Sequence, residues 1–245
     1  MPLLAVALGL SLLGGFGGLA VASSLLILPV GMRRQLVPWL VSYAVGALLG
    51  VALIELLPQA LAGLSPRRVF GTLLVGILTF FVLEKLALWR HCHTDECEVH
   101  GSSGPLVLIG DVAHNFMDGA VIGAAVFTSI PVAISTAVAV LAHEIPHEVG
   151  DFAILLHSGF SRQRALMYNA LAEVAGLLGA GVAFAFLDSV PRVAPYFLAF
   201  ATASFLYVAM SDLIPDLHRG TFDDNPIRQV VLVGAGIGTV LLLSR

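Results

Sequence analysis

Charge is what this chain has least of. Asp, Glu, Lys and Arg together make up 11% of its 245 residues, less than half the roughly 25% of an average soluble domain. A soluble fold of this length needs a charged surface, so the shortage excludes one. Cysteine is almost missing: Cys92 and Cys97 are the only two, which excludes a disulfide scaffold. No Lys or Arg precedes Arg33, so the first apolar run lacks the basic start of a cleavable signal peptide and reads as a mature span. Strict alternation of apolar and polar residues is also lacking, which excludes a membrane β-barrel. Nothing resembles the basic patch of a nucleic-acid-binding protein. The net charge of −4 says little about partners, because so many of the acids lie inside apolar runs.

What is present is hydrophobic: 58% of the residues, with a mean hydropathy of +0.95. Clusters of Pro, Gly and charge divide the chain into apolar blocks near 3–29, 36–62, 69–88, 105–128, 131–156, 163–187, 194–218 and 226–244. Each approaches or exceeds the ~20 residues that carry a helix across ~30 Å of hydrocarbon. The sequence therefore predicts an all-α polytopic membrane protein with eight transmembrane helices, a single transmembrane domain over 1–245, and no sizeable soluble module. Placing the N-terminus outside puts Arg33, Arg34, Lys85, Arg90, Arg162, Arg164, Arg219 and Arg228 in the cytoplasm, against Arg67, Arg68, Arg192 and Arg245 outside. That bias runs in the expected direction.

Between the third and fourth spans lies "RHCHTDECEVHG", in a cytoplasmic loop at about 89–104. Its Cys92, Cys97, His91, His93, His100, Asp95, Glu96 and Glu98 can hold a soft or borderline metal, or form a solvated loop with two reduced thiols.

The informative residues are ionisable groups inside apolar blocks, each costing roughly 2.5–3.5 kcal/mol at mid-bilayer even on permissive insertion scales. "GDVAHNFMDGAVIGAAV" brings Asp111, His114, Asn115 and Asp118; "VLAHEIPHEVGDF" brings His143, Glu144, His147, Glu148 and Asp151; "NALAEVAGLLGA" adds Glu173. His114 with Asp118, His143 with His147, and Glu144 with Glu148 are i, i+4 pairs on common helix faces. The short "TSIP" connection makes the fourth and fifth spans antiparallel neighbours, and the two clusters lie at similar distances from it. They meet near the midplane, where His114, Asp118, His143 and His147 supply imidazole and carboxylate donors suited to Zn²⁺ and its first-row relatives. Asn115, Glu144 and Glu173 form a second position beside the first. Asp111, Glu148 and Asp151 fit outer-shell, path-lining or structural roles equally well. Pro146 removes an N–H from the fifth span and should bend it there.

"YAVGALLGVALIELLPQAL" from Tyr43 aligns with "FATASFLYVAMSDLIPDLH" from Phe200 at constant offset, Glu55 on Asp212, Pro58 on Pro215 and Gln59 on Asp216. The two spans cross in opposite directions, so the sequence predicts an inverted repeat of helices 1–3 and 6–8 around helices 4–5, a recurring transporter plan. Glu55, Asp212 and Asp216 become candidates for cation relay.

His143-Glu144-Ile145-Pro146-His147 also reads as HExxH, the two-His, one-Glu spacing of a zinc metalloprotease, and Asp118-Gly119 offers a third ligand. An intramembrane protease is thus the alternative reading. Against it stand the upstream position of the Asp-Gly, the interrupting Pro146, and His114, Asn115 and Glu173 as surplus ligands where a hydrolase needs an open coordination position.

"HNFMDG" and "HEIPHEVGDFAILLHSG" closely resemble the signature helices of the ZIP (Zrt/Irt-like protein) family of divalent-metal transporters, and "FLYVAMSDLIPDL" and "IELLPQAL" resemble its seventh and second spans. HEIPHE followed by Val-Gly-Asp is most similar to the subgroup that includes animal organellar zinc exporters to the cytosol. The resemblance implies eight helices, both termini outside, a His-rich loop between the third and fourth spans, metal movement into the cytoplasm, and a binuclear midplane site. By that match His114, Asn115 and Asp118 are the fourth-span ligands, His143, Glu144 and His147 the fifth-span set, and Glu173 the sixth-span carboxylate. Many members carry Pro-Glu at Met117-Asp118 and Glu at His147. Imidazole in place of that carboxylate softens the site, favouring Zn²⁺ over Fe²⁺ or Mn²⁺, with Cd²⁺ and Co²⁺ also within reach. The metal is then cargo and no cofactor is expected. Expected partners are divalent ions and lipid, with no nucleic acid and with room for a homodimer; the expected location is the cell (inner) membrane.

Overall fold

The computed structural model describes residues 2–89, 103–218 and 225–243. The "RHCHTDECEVHG" tract, Arg219, Arg245 and the side chain of Asp216 lie outside the described residues. Among these, every regular element is helical. In chain order they are α1 (Pro2–Leu25), α2 (Val30–Gly50), a π-helical turn (Val51–Leu56), α3 (Leu57–Gly63), α4 (Pro66–Trp89), α5 (Ser103–Ala125), α6 (Ile130–His157) and α7 (Arg162–Ser189). A 3₁₀ turn (Pro191–Val193), α8 (Ala194–Tyr207), a second π turn (Val208–Leu213), α9 (Ile214–His218) and α10 (Pro226–Leu243) complete the chain. With each π turn joined to its flanking helices these make eight rods, at the eight apolar blocks of the sequence. Seven of them are long and apolar enough to cross a membrane; the eighth, α5, has 23 residues and carries Asp111, His114, Asn115 and Asp118.

Local chemistry sets the ends of these rods. Ser129 caps α6 by accepting from the Val132 N–H at 3.2 Å, Ser161 caps α7 through the Arg164 N–H, and Asn225 Oδ1 accepts from the Ile227 and Arg228 N–H groups at the start of α10. These side chains satisfy donors that a first helical turn leaves without partners. At the far end of α6 the chain turns on Gly159, whose φ of 88° is open to glycine at little cost. The Phe160 N–H reaches back to the Leu155 carbonyl and the Gly159 N–H to Leu156, the pairing of a Schellman cap.

The two π turns have a common cause. Pro58 and Pro215 each follow one by two residues, and a proline ring collides with the carbonyl four residues earlier. Widening the turn moves that carbonyl aside: Leu57 N–H bonds Ala52 O, and Ile214 N–H bonds Ala209 O, each five residues back. The offset that carries Glu55 onto Asp212 also carries Val51 onto Val208 and Leu56 onto Leu213. Both acids therefore sit inside widened turns, Glu55 buried and Asp212 exposed.

Packing inverts the pattern of a soluble protein. Large apolar side chains face outward, for example Phe70, Leu74, Leu78 and Val82 on α4 and Ile227, Val230 and Leu242 on α10, while Asp111, Asn115, Asp118, His143, Glu144, Glu148, Asp151, Asn169 and Glu173 are buried. α5 packs most extensively on α7, with α1 on α6, α2 on α10 and α4 on α8 as further pairs. Glycines bring α5 and α7 to backbone contact: a Cβ at Gly119 would overlap the Gly176 carbonyl, and one at Gly179 the Phe116 carbonyl. Small residues at crossings are how helices associate where lipid competes for apolar contact. α2 is also tied to α10 by Tyr43 Oη donating to Thr239 Oγ1 at 2.9 Å, and α4 to α8 by a hydrogen bond between Tyr207 and Glu84. Thr79, Thr136 and Thr202 donate to carbonyls four residues earlier in their own helices, so these hydroxyls need no water.

Candidate metal centre

His143 and Glu144 fall at the middle of the 28-residue α6, whose Pro146 lies within a continuous helix. His143 is 1% exposed and Glu144 fully buried. His143 Nδ1 lies 3.0 Å from the Ala139 carbonyl oxygen. A carbonyl can only accept, so Nδ1 carries the hydrogen and neutral His143 presents a bare Nε2. This is how outer-shell bonds select the tautomer of a metal-binding histidine.

That Nε2 faces two carboxylates and a second imidazole. It lies 2.8 Å from Asp118 Oδ2, 3.4 Å from Glu144 Oε1 and 3.1 Å from His114 Nε2. His114 Nε2 is in turn 3.4 Å from Glu144 Oε1 and 3.7 Å from Asp118 Oδ2. Neither oxygen of Asp118 or of Glu144 makes a hydrogen bond, so the short approaches are ion-pair contacts outside hydrogen-bonding geometry. Buried carboxylates without donors cost several kcal/mol each. Lone pairs converging in this way require a positive centre among them, a shared proton or a metal ion. The four donors lie within 4.8 Å of one another, and two imidazoles with two carboxylates make a first-row divalent donor set. Phe205 of α8 sets its ring against His143 at a centroid distance of 6.3 Å, closing the apolar side.

Glu144, Glu148 and Glu173 bring one carboxylate oxygen each within 4.8 Å of one another and can hold a second ion. Glu148 Oε2 accepts from Asn169 Nδ2 at 2.6 Å, whereas Glu148 Oε1 and Glu173 Oε1 have no hydrogen-bond partner. Glycines of α1 make the room: a Cβ at Gly15 would overlap the Glu173 carboxylate, and one at Gly18 would press on Glu144 Cβ. Asn115, buried beside the first group, donates from Nδ2 to Asp111 Oδ1 at 2.8 Å.

His147 stands apart from the grouping expected on helical spacing. Its ring stacks on His114 at 4.8 Å, but its Nε2 turns to Asp151 Oδ2 at 3.4 Å. Residues four apart on a helix share a face, yet their side chains reach different depths. Asn169 carries no signal by itself in the sequence; its i, i+4 spacing to Glu173 was the available clue.

The family model of the ZIP zinc transporters matches residues 90–244. Zinc transporter ZIP13 of Pongo abelii is 35% identical over 258 residues, covering 96% of this chain and 77% of the relative. Zinc transporter YKE4 of Saccharomyces cerevisiae is 27% identical over 242 residues, covering 84% and 70%, and zinc transporter ZIP10 of Danio rerio is 40% identical over 120 residues, covering 49% and 14%. The protease reading of HExxH finds no support in these matches. A helical, multi-pass membrane chain with this donor set, matched over more than half its length by the family model and over nearly all of it by a relative, belongs to the ZIP zinc transporter family and is a transporter and not an enzyme.

Proposed function

We propose that the chain moves divalent transition-metal cations, Zn²⁺ foremost, into the cytoplasm through a binuclear site at the membrane midplane. The observation that supports this most is the convergence of His114 Nε2, His143 Nε2 and the unpartnered oxygens of Asp118 and Glu144 at mid-helix. His114, Asp118, His143 and a shared Glu144 take the first ion, and Glu144, Glu148 and Glu173 the second, with Asn115 beside the first group and His147 turned to Asp151. Cd²⁺, Co²⁺, Fe²⁺ and Mn²⁺ are competitors for the same donors, the last two disfavoured by imidazole. The ion is cargo throughout.

The whole of 1–245 acts as one transport domain in the cell (inner) membrane, termini outside, the 89–104 loop in the cytoplasm, as a monomer or homodimer. Helices 1–3 and 6–8 form an inverted repeat around helices 4–5, a reading favoured by the two π turns at equivalent positions. Their movement against the central pair exposes the site to each side in turn.

Zinc influx into proteoliposomes, with a competition series of the other divalent ions, tests the reading; uptake no faster than in protein-free vesicles would sink it. Because the ligand imidazoles must be neutral to bind, uptake is expected to weaken as the pH is lowered. Gly15→Ala is expected to lower uptake several-fold with little change in melting temperature, since the added methyl meets the flexible end of Glu173 and not backbone. Unchanged uptake in that variant removes Glu173 from the ion's path.

A further inference from the structure

Asp111, His147 and Asp151 bring one donor atom each within 4.8 Å of one another. The group lies about one to two helical turns, ~6–12 Å along the helices, from the Asp118–His143 cluster, displaced towards the ends of α5 and α6 at Ser103 and His157. Asp111 is 2% and Asp151 8% exposed. Asp111 Oδ1 is taken by Asn115, but Asp111 Oδ2 and Asp151 Oδ2 make no hydrogen bond. Two buried carboxylates facing one imidazole, with Asp111 Oδ2 unpartnered and Asp151 Oδ2 only in ion-pair contact with His147, are costly to bury here too.

The donor types set what would relieve that cost. One imidazole and two carboxylates form a three-ligand set with coordination positions left for water, fitting a divalent ion held in passing better than one held permanently. Accessibility agrees, since 36% of the His147 side chain is exposed against 1% for His143. His147 is the hinge of the arrangement, its ring stacked on His114 of the larger cluster while its Nε2 faces Asp151.

We propose that Asp111, His147 and Asp151 form a third divalent-cation site, distinct from the binuclear pair, which receives the ion from the first position through His147. The hand-off rests on the transport reading and on the orientation that makes this side cytoplasmic; the site itself rests only on the three side chains. A purely structural role, with Asp111 orienting Asn115 and Asp151 pairing His147, is the competing account.

Cd²⁺ binding to the purified full chain by equilibrium dialysis separates the two. Asp151→Asn and Asp111→Asn are each expected to bind one Cd²⁺ fewer per chain than the native protein. In a background with Cys92 and Cys97 replaced by serine, Asp151→Cys is expected to gain an ultraviolet thiolate-to-cadmium band, which a misfolded variant or a structural pairing would not produce. A native Cd²⁺ count in both asparagine variants, or a folded cysteine variant that binds Cd²⁺ without the band, overturns the site. In vesicles, Asp151→Asn is expected to lower maximal zinc flux by at least about tenfold with the half-saturating concentration little changed. A cysteine variant that shows the band while native vesicles take up no zinc would instead sink the transport reading and leave the site standing.

Discussion

Asp118→Ala is expected to reduce zinc uptake to the background of protein-free vesicles while leaving the metal-free protein at least as stable as before. Both halves follow from the same pair of oxygens. Asp118 is buried, its Oδ1 and Oδ2 make no hydrogen bond, and Oδ2 lies 2.8 Å from His143 Nε2. Without a metal ion the carboxylate's desolvation cost is offset only by its ion-pair contact with His143, and buried pairs of this kind add little net stability, so deleting it is expected to relieve the fold. With a cation it supplies charge neutralisation that no neighbour replaces. Changes outside the ligand shell already cost about 10–100-fold in metal affinity or activity, and loss of a ligand should exceed that. The check is a thermal melt with and without zinc, beside the uptake assay. The native protein should gain melting temperature on adding zinc, by the linkage of binding to folding, and the variant should gain much less. A variant that melts lower without metal yet takes up zinc normally would mean that Asp118 is a structural residue.

Gly119→Ala is expected to damage both fold and transport, although it adds only a methyl group. The new Cβ would fall on the backbone carbonyl of Gly176, which has no rotamer by which to yield. α5 and α7 must then separate, and overpacking of this kind costs roughly 1–3 kcal/mol or more. His114, Asn115 and Asp118 move with α5, Asn169 and Glu173 with α7, so the widened crossing pulls both ion positions apart. Gly181→Ala is the matched control, since nothing lies within 4 Å of its added Cβ and alanine favours the helix by about 1 kcal/mol. The expected order of melting temperatures in detergent is Gly181→Ala at or above native, with Gly119→Ala well below. Equal melting of the two variants would show that the α5–α7 crossing is looser than its geometry.

The pairing of the π turns bears on how such a carrier moves. Each is a place where proline has replaced an ordinary helical bond by a wider one, and each contains an acid, Glu55 or Asp212. Widened turns recur at functional sites because their bonds are easily rearranged. Their corresponding positions support the proposed inverted repeat, in which the two turns are matched hinges.

The eight rods were legible in the sequence because each apolar run must bury its backbone bonds within itself, and only a helix does so in hydrocarbon. That acids and histidines of the fourth, fifth and sixth spans must turn inward was equally legible, since lipid offers them nothing. The i, i+4 rule placed His143 and His147 on one face, but not their partners. One turns to Asp118 and the other to Asp151, a choice made by side chains on two helices and by the room between them. Pro58 and Pro215 were legible in the sequence only as aligned positions, and the widened turn before each is visible only in the structure. Asn169 gained its meaning only when α7 brought it against Glu148. The sequence by itself thus determined which groups leave the lipid, because that is a property of each residue against its solvent. Which group meets which was left to the tertiary structure, because the partners stand on different helices and glycine crossings such as Gly119 on Gly176 fix how closely those helices approach.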